Sequence, residues 1–260
     1  QGVSSAASDV YKRQVEKKEG KLKGHKDIII TDLPGIYSLS PYTLEEVVAR
    51  NYLIKEYPDA IINIIDGTNI ERNLYLSTQL IELGIPVIMA VNMMDLVKKN
   101  GDKIDIKNLS NALGCEVVEI SALKGTGIDE VKEKAVAAAQ KKVQNKRVHS
   151  FDQAVEDAID SVSAKLTVEE RKKRFFAIKL LEKDTKIAGQ MDSVPDCKDE
   201  IKALEDKFDD DTESIITNER YSYISGIIGE CVKKARAGKE STSDKIDKIV
   251  TNRILALPIF

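Results

Sequence analysis

The sequence predicts an α/β fold with a mostly parallel sheet, followed by a small all-α bundle, and three observations predict it. Short apolar runs alternate with helix-period segments as far as about residue 143. Those runs end in clusters of Asp, Asn, Ser and Gly, the place where open α/β sheets bind ligands. Beyond Ser150 the apolar spacing is helical throughout. Strand–helix alternation sets successive strands side by side with helices over both faces.

The elements follow in order. Val15 to Lys23 is a charged edge strand, Gly24 to Asp27 a turn, and Ile28 to Thr31 a buried strand. Tyr37 to Pro41 is a loop. Leu44 to Tyr57 has helical spacing through Leu44, Val47, Val48 and Leu53, closed by Pro58. Ala60 to Ile65 is a buried strand ending at Asp66-Gly67. Ile70 to Leu83 is a helix capped by Gly84. The run Pro86 to Val91, apolar on both faces as a central parallel strand must be, organises the rest. Lys98 to Gly101 is a polar turn, Asp105 caps a short helix through Leu113, and Gly114 ends it. Cys115 to Ile120 is a further strand, and Ile128 to Val143 an alanine-rich helix.

In the second half Ser150 or Asp152 caps a helix carrying Phe151, Val155, Ile159, Val162 and Leu166. A second helix covers Val168 to about Lys183, a third follows Pro195, and a long one spans Thr212 to about Ala237. Arg171 to Arg174 suits a solvated helix start better than a nucleic-acid or lipid patch. Asp209 to Asp211 suits the negative start of the next helix better than a cation site.

Bulk properties narrow the function. The 260 residues allow one large or two ordinary domains, and 42% hydrophobic with 32% charged residues is an ordinary globular composition. A net charge of -3 gives no electrostatic footprint for nucleic acid. Three dispersed cysteines, Cys115, Cys197 and Cys231, are packed thiols rather than a zinc or redox motif, and two histidines make no metal cluster. Residues 1–14, QGVSSAASDVYKRQ, lack a signal-peptide core and any structural period, and are expected to be a non-native leader. Residues 241–260 close in IVTNRILALPIF, which is shorter than the ~20 apolar residues of a span and is expected to begin a membrane segment, the alternative being an amphipathic tail.

Three short polar segments stand at strand ends. Asn92-Met93-Met94-Asp95 can read a base: a carboxylate accepts from the N1-H and 2-amino group of guanine, whereas adenine offers neither donor there. Asp32-Leu33-Pro34-Gly35 can hold Mg²⁺ through a water at Asp32 and bring the Gly35 N–H to a terminal phosphate. Ser121-Ala122-Leu123 follows the last strand. Singly, each is also an ordinary turn. Together, in this order and at these places, they point to a guanine-nucleotide fold. Met93 and Met94 are loop packing rather than iron ligands.

These residues, with Ile36-Tyr37-Ser38-Leu39, resemble the third, fourth and fifth G motifs of the bacterial ferrous iron transport protein B family. Asn218-Glu219-Arg220-Tyr221 with Ile224 resembles the end of that family's helical domain. The resemblance implies a Ras-like P-loop GTPase fold with its amino-terminal part missing over residues 15–147, an all-α helical domain over 148–240, and then a membrane domain. It implies GTP/GDP, Mg²⁺ and a monovalent cation as cofactors. Nucleotide-binding residues would be Asp32, Leu33, Pro34, Gly35, Asn92, Met93, Met94, Asp95, Ser121, Ala122 and Leu123. Partners would be the guanine nucleotide, the protein's own membrane domain and small cytosolic proteins, at the cytoplasmic face of the bacterial membrane.

One departure stands against it. No G-x-x-x-x-G-K-[ST] loop occurs, since Gly20-Lys21 and Gly238-Lys239 lack both flanks. GTPase activity is therefore expected of the intact protein, with weak binding by this chain. The rivals are a G protein of ribosome assembly or translation and a nucleotide-free scaffold.

Overall fold

The computed structural model describes residues 18–25, 27–40, 43–141 and 149–235. Its centre is a parallel three-stranded sheet in the order β3 (Ile61–Asp66), β4 (Val87–Asn92), β6 (Glu116–Glu119). The register pairs Ile61 with Val87 through Asp66 with Asn92, and Ile88 with Glu116 through Val91 with Glu119. Residues Val87 to Val91 are at most 2% exposed, which makes β4 the central strand. Alternation along it explains why: Val87, Met89 and Val91 join a core with Leu74 and Leu80, while Ile88 and Ala90 meet Val118 and Val131 on the other face. Helix α2 (Ile70–Glu82) covers the first face and α5 (Ile128–Lys141) the second.

Two strands differ from expectation. β1 (Lys18–Lys21) and β2 (Ile29–Asp32) form a separate antiparallel ribbon, Lys18 opposite Asp32 and Lys21 opposite Ile29. Ile29 is 63% and Ile30 44% exposed, so the strand expected to be buried over Ile28 to Thr31 is not. Its only strand partner among the described residues is β1, and an apolar run is buried only where neighbours cover it. The strand at Ala60 to Ile65 is buried on one face: Ile65 is in the core, whereas Ile62 and Ile64 are exposed because β3 is the sheet's edge among the described residues.

The helices start where local chemistry allows. Thr43 opens α1 (Leu44–Lys55) with a reciprocal capping box, its Oγ1 accepting from the Glu46 N–H at 3.2 Å and Glu46 Oε2 accepting from the Thr43 N–H at 3.1 Å. The expected turn over Lys98 to Gly101 is partly helical instead. α3 (Met94–Lys99) continues through Lys99 because Met94 and Val97, three apart, both pack inward. Asp105 caps α4 (Ile106–Leu113), accepting from Asn108 N–H at 3.0 Å, and Gly114 ends it in the left-handed conformation.

The second half is a bundle of α6 (Gln153–Lys165), α7 (Glu170–Leu181), α8 (Lys198–Phe208) and α9 (Thr212–Cys231). Asp152 and Asp211 cap α6 and α9 through Ala154 and Ser214. The basic run is paired at a helix start: Arg171 and Lys172 meet Glu169, Lys173 meets Glu170, and Arg174 meets Glu156. α9 stops at Cys231 rather than near Ala237. There β7 (Val232–Lys233) pairs antiparallel with β5 (Lys103–Ile104), and the Asp105 N–H donates to Cys231 O at 2.8 Å. Tertiary pairing ends the helix. Both halves share one hydrophobic core, with Leu74 and Met89 from the first and Phe175 and Ile216 from the second.

Candidate functional site

Strand β4 delivers Asn92 at its carboxyl end, and Met93 then takes φ 61°, ψ 26°, turning the chain directly into α3. That turn sets Asn92 and Asp95 against the loop after β6. Asn92 Oδ1 accepts from the Ala122 N–H at 3.0 Å, and the Met94 N–H donates to Ile120 O at 3.2 Å. A hydrogen bond from Ser121 holds the Asp95 carboxyl below its ordinary range. The backbone N–H groups at the start of α3 and Lys124, whose Nζ is 3.9 Å from Asp95 Oδ2, act in the same direction. Asp95 is thereby kept as an acceptor.

The loop beyond β6 is closed on itself. Ser121 and Thr126 exchange backbone hydrogen bonds of 3.1 and 3.2 Å. Gly127, at φ +78°, permits the closure, because a Cβ there would lie 2.3 Å from Glu119 O. A cavity of about 480 Å³ opens beside Asp95, bordered by Met94, Lys98, Glu119, Ser121, Lys124 and Thr126. Met94 packs mainly into the core, Met93 is 40% exposed at the turn, and Leu123, 91% exposed, projects into solvent beside Ala122. An acceptor-only carboxylate, a fixed backbone loop and exposed apolar side chains suit a flat, hydrogen-bonding ligand that offers two adjacent donors.

Asp32, Leu33, Pro34 and Gly35 lie apart, at the end of the β1–β2 ribbon. Asp32 and Gly35 are exposed, Leu33 and Pro34 half-buried. The next residues of the chain are anchored: Leu39 is fully buried and its N–H donates to Gln79 Oε1 at 2.6 Å, an oxygen that also accepts from Ser38 Oγ at 3.2 Å. At the end of β3, Gly67 lets two strand ends touch, since a Cβ there would lie 2.9 Å from Asn92 O. The structure thus joins Asn92 to Asp95 with Ser121 to Leu123 directly, and places the Asp32 segment on a different support.

Sequence reasoning missed Gln79, Lys124 and Thr126 as parts of this arrangement. Gln79 carries a readable signal, being a polar residue within the apolar face of a predicted helix. Lys124 and Thr126 act through loop closure, which has no period to detect. Among the described residues no group of three or more His, Cys, Asp or Glu side chains could hold a metal ion, and no helix is long and apolar enough to cross a membrane.

The profile of the family described as ferrous iron transport protein B matches residues 8–135, and that of the FeoB cytosolic helical domain matches residues 151–233. The Fe(2+) transport protein A/Fe(2+) transporter FeoB fusion protein of Porphyromonas gingivalis is 36% identical over 265 residues, covering 95% of this chain. The chain belongs to the ferrous iron transport protein B family. A second relative, the Fe(2+) transporter FeoB of Salmonella typhimurium, is 34% identical over 257 residues, again across 95% of the chain. The chain spans 31% and 32% of the lengths of these two relatives.

Solved members of the FeoB family share the architecture. NFeoB from S. thermophilus bound to mGMPPNP superposes with a TM-score of 0.77 at 43% identity, over 87% of this chain and 86% of that one. NFeoB from S. thermophilus bound to GDP.AlF4- and K+ gives 0.78 at 45% identity, over 82% and 85%. The first half is therefore a Ras-like GTPase domain and the second its helical partner.

Proposed function

We propose that this chain is the guanine-nucleotide-binding, regulatory part of a bacterial membrane ferrous iron transporter, lying at the cytoplasmic face of the membrane. The observation that supports it best is the Asp95 carboxylate, held by Ser121 at the carboxyl ends of β4 and β6 beside an open cavity. Guanine presents N1-H and the 2-amino group to such an acceptor; adenine presents an acceptor at N1 and loses the pairing. Asn92 holds the Ala122 backbone, whose loop meets the base carbonyl, and Met93 and Leu123 flank the base plane.

On the phosphate side Asp32 would bind Mg²⁺ through water, as an exposed carboxylate suits a hard cation, and Gly35 would meet the γ-phosphate. Bound Mg²⁺ would neutralise charge on the β- and γ-phosphates. A monovalent cation is the further cofactor of this reading. No G-x-x-x-x-G-K-[ST] loop lies within the 260 residues, so this chain itself binds GTP weakly and hydrolyses it negligibly. Residues 15–147 form the G-domain part, 148–240 the helical domain, and 241–260 lead toward the membrane domain. Nucleotide-dependent movement of the loop after Asp32 changes how the helical domain and membrane portion sit.

An amide NMR titration of this chain tests the base assignment without needing tight binding. GDP should shift Asp95, Ser121 and Ala122, ADP should not, and Asp95→Asn should move the preference from GDP toward XDP, with a change of about tenfold or more in relative affinity. Equal responses to GDP and ADP, or an Asp95→Asn chain that keeps its guanine preference, would overturn it.

A further inference from the structure

The chain leaves β3 through Asp66-Gly67, directly beside the turn that carries Asn92 and Asp95. The register sets Asp66 opposite Asn92, so the carboxyl ends of β3 and β4 are level. Asp66 Oδ1 accepts from the Thr68 N–H at 2.8 Å and from Thr68 Oγ1 at 2.7 Å. That side-chain turn opens a single 3₁₀ turn, Gly67–Asn69, and fixes which way the buried Gly67 faces.

A Cβ on Gly67 would lie 2.9 Å from Asn92 O, 3.0 Å from Val91 Cγ1 and 3.2 Å from Val97 Cγ2. Those three atoms stand on both flanks of the N-x-x-D turn, Val91 and Asn92 where it begins and Val97 where it has passed into α3. Gly67 therefore spans the turn from outside. Little in this neighbourhood can give way: Val91 is fully buried, Val97 is 1% exposed, and both are β-branched and stiff at χ1. The Val97 N–H also donates to Met93 O at 3.0 Å, and Met93 is the residue whose left-handed backbone turns the chain between Asn92 and Asp95. The opposite side of the turn is held by the β6 loop, through Asn92 to Ala122 and Met94 to Ile120. The base reader thus lies between two walls. In a close-packed interior, pushing one wall shifts the whole turn, because no void absorbs the movement.

We propose that Gly67 is a positioning residue for base recognition, with Asp66 as the residue that holds it in place. The lack of a side chain at 67 sets how closely Asn92 and α3 approach β3, and so where the Asp95 carboxylate stands against Ser121 and Ala122. This rests on the nucleotide-binding reading above and adds a specificity determinant that lies outside the N-x-x-D segment. A misplacement of about 1 Å in a positioned site costs on the order of 10²-fold, so base selectivity is lost before the fold is.

Gly67→Ala and Gly84→Ala make a matched pair. Gly84 stands beyond the other end of β4, at φ +77°, and a Cβ there would lie 2.9 Å from Arg171 O, so its substitution is as severe but remote from the reader. In the nucleotide-free chain, amide exchange at Met94 and Ala122, read against Ile216, fully buried in α9, should quicken about tenfold or more in Gly67→Ala and stay within about twofold in Gly84→Ala. In titrations with GDP and ADP, Gly67→Ala should lower the ratio of the two affinities about tenfold, and Gly84→Ala should leave it unchanged. Asp66→Ala adds no bulk and should act in the same direction by about threefold, while Asp66→Asn, which keeps an acceptor for Thr68, should restore both readouts. Should Gly67→Ala fail to fold, the two Asp66 variants decide by the same readouts. Met94 and Ala122 exchange unchanged in Gly67→Ala, or quickened equally by Gly84→Ala, would overturn the positioning role. So would a Gly67→Ala chain that keeps the unsubstituted chain's preference for GDP. If the unsubstituted chain itself shows no such preference, the guanine assignment falls while the exchange result still judges Gly67, so the two fail separately.

Discussion

The two sides of the proposed nucleotide site are built differently. The base side stands on β4 and β6, parallel strands inside a covered sheet, and its two loops are fixed to each other by the Asn92 to Ala122 hydrogen bond. The phosphate side stands on a two-stranded ribbon with exposed isoleucines, and its loop is held by side chains from elsewhere, Gln79 and Lys179. A base is always the same shape, so a rigid reader would suit it; a terminal phosphate comes and goes, so a loop held by side chains from other elements would suit the proposed sensing of it.

Arg220 is the severest way to break that contrast. Arg220→Met strips the buried cation from Glu82 and Glu182 and should cost about 3–5 kcal/mol in urea unfolding, disabling the phosphate-side support first. A loss below about 1 kcal/mol would show that the cluster contributes little.

A matched pair of truncations sharpens the difference in support. Met89→Ala, in the fully buried central strand, should cost about 2–5 kcal/mol. Ile30→Ala, on the exposed ribbon, should cost under about 1 kcal/mol by the same unfolding measurement. Comparable losses would mean that the ribbon is as firmly integrated as the sheet.

A pH-dependent effect, smaller than those of Arg220 and Met89, concerns the seam between the halves, where His149 stacks on Tyr223 at 4.1 Å and meets Phe151 edge-on at 4.6 Å. Burial pushes its imidazole down to about 4 from 6.5, with Glu82 and Glu156 opposing and Arg220 and Arg174 reinforcing the shift. The unfolded chain binds this proton more readily than the folded one, so stability falls as pH drops from about 6.5 to 4. The ring is partly exposed, and solvent screening limits the loss to the order of 1–2 kcal/mol. His149→Phe should flatten the stability–pH slope in that window, and an unaltered slope would remove His149 from the account.

Much of the base side was legible. Pro86 to Val91 announced a central strand, Asp105 and Gly114 bounded a helix, and Asn92, Asp95 and Ser121 fell at strand ends as their order suggested. These are short-range signals, set by periodicity and by hydrogen bonds that span a few residues. The phosphate side was legible only in part. Ile28 to Thr31 has a buried strand's composition, but composition cannot say whether a neighbour covers it. Lys179 sits among Phe175 to Leu181, a polar break in an apolar run, yet nothing nearby in sequence tells that it reaches Ser40.

The alternation of strands and helices, the caps, and the choice of polar residues at strand ends were all written in the chain, because each depends on neighbours within a turn or a pleat. Other features arose only from packing. It left β2 exposed, ended α9 at Cys231 by pairing β7 with β5, and brought Arg220 to Glu82 across 138 residues of chain. A buried charge finds its partner through the docking of whole helices, and no local pattern encodes that distance.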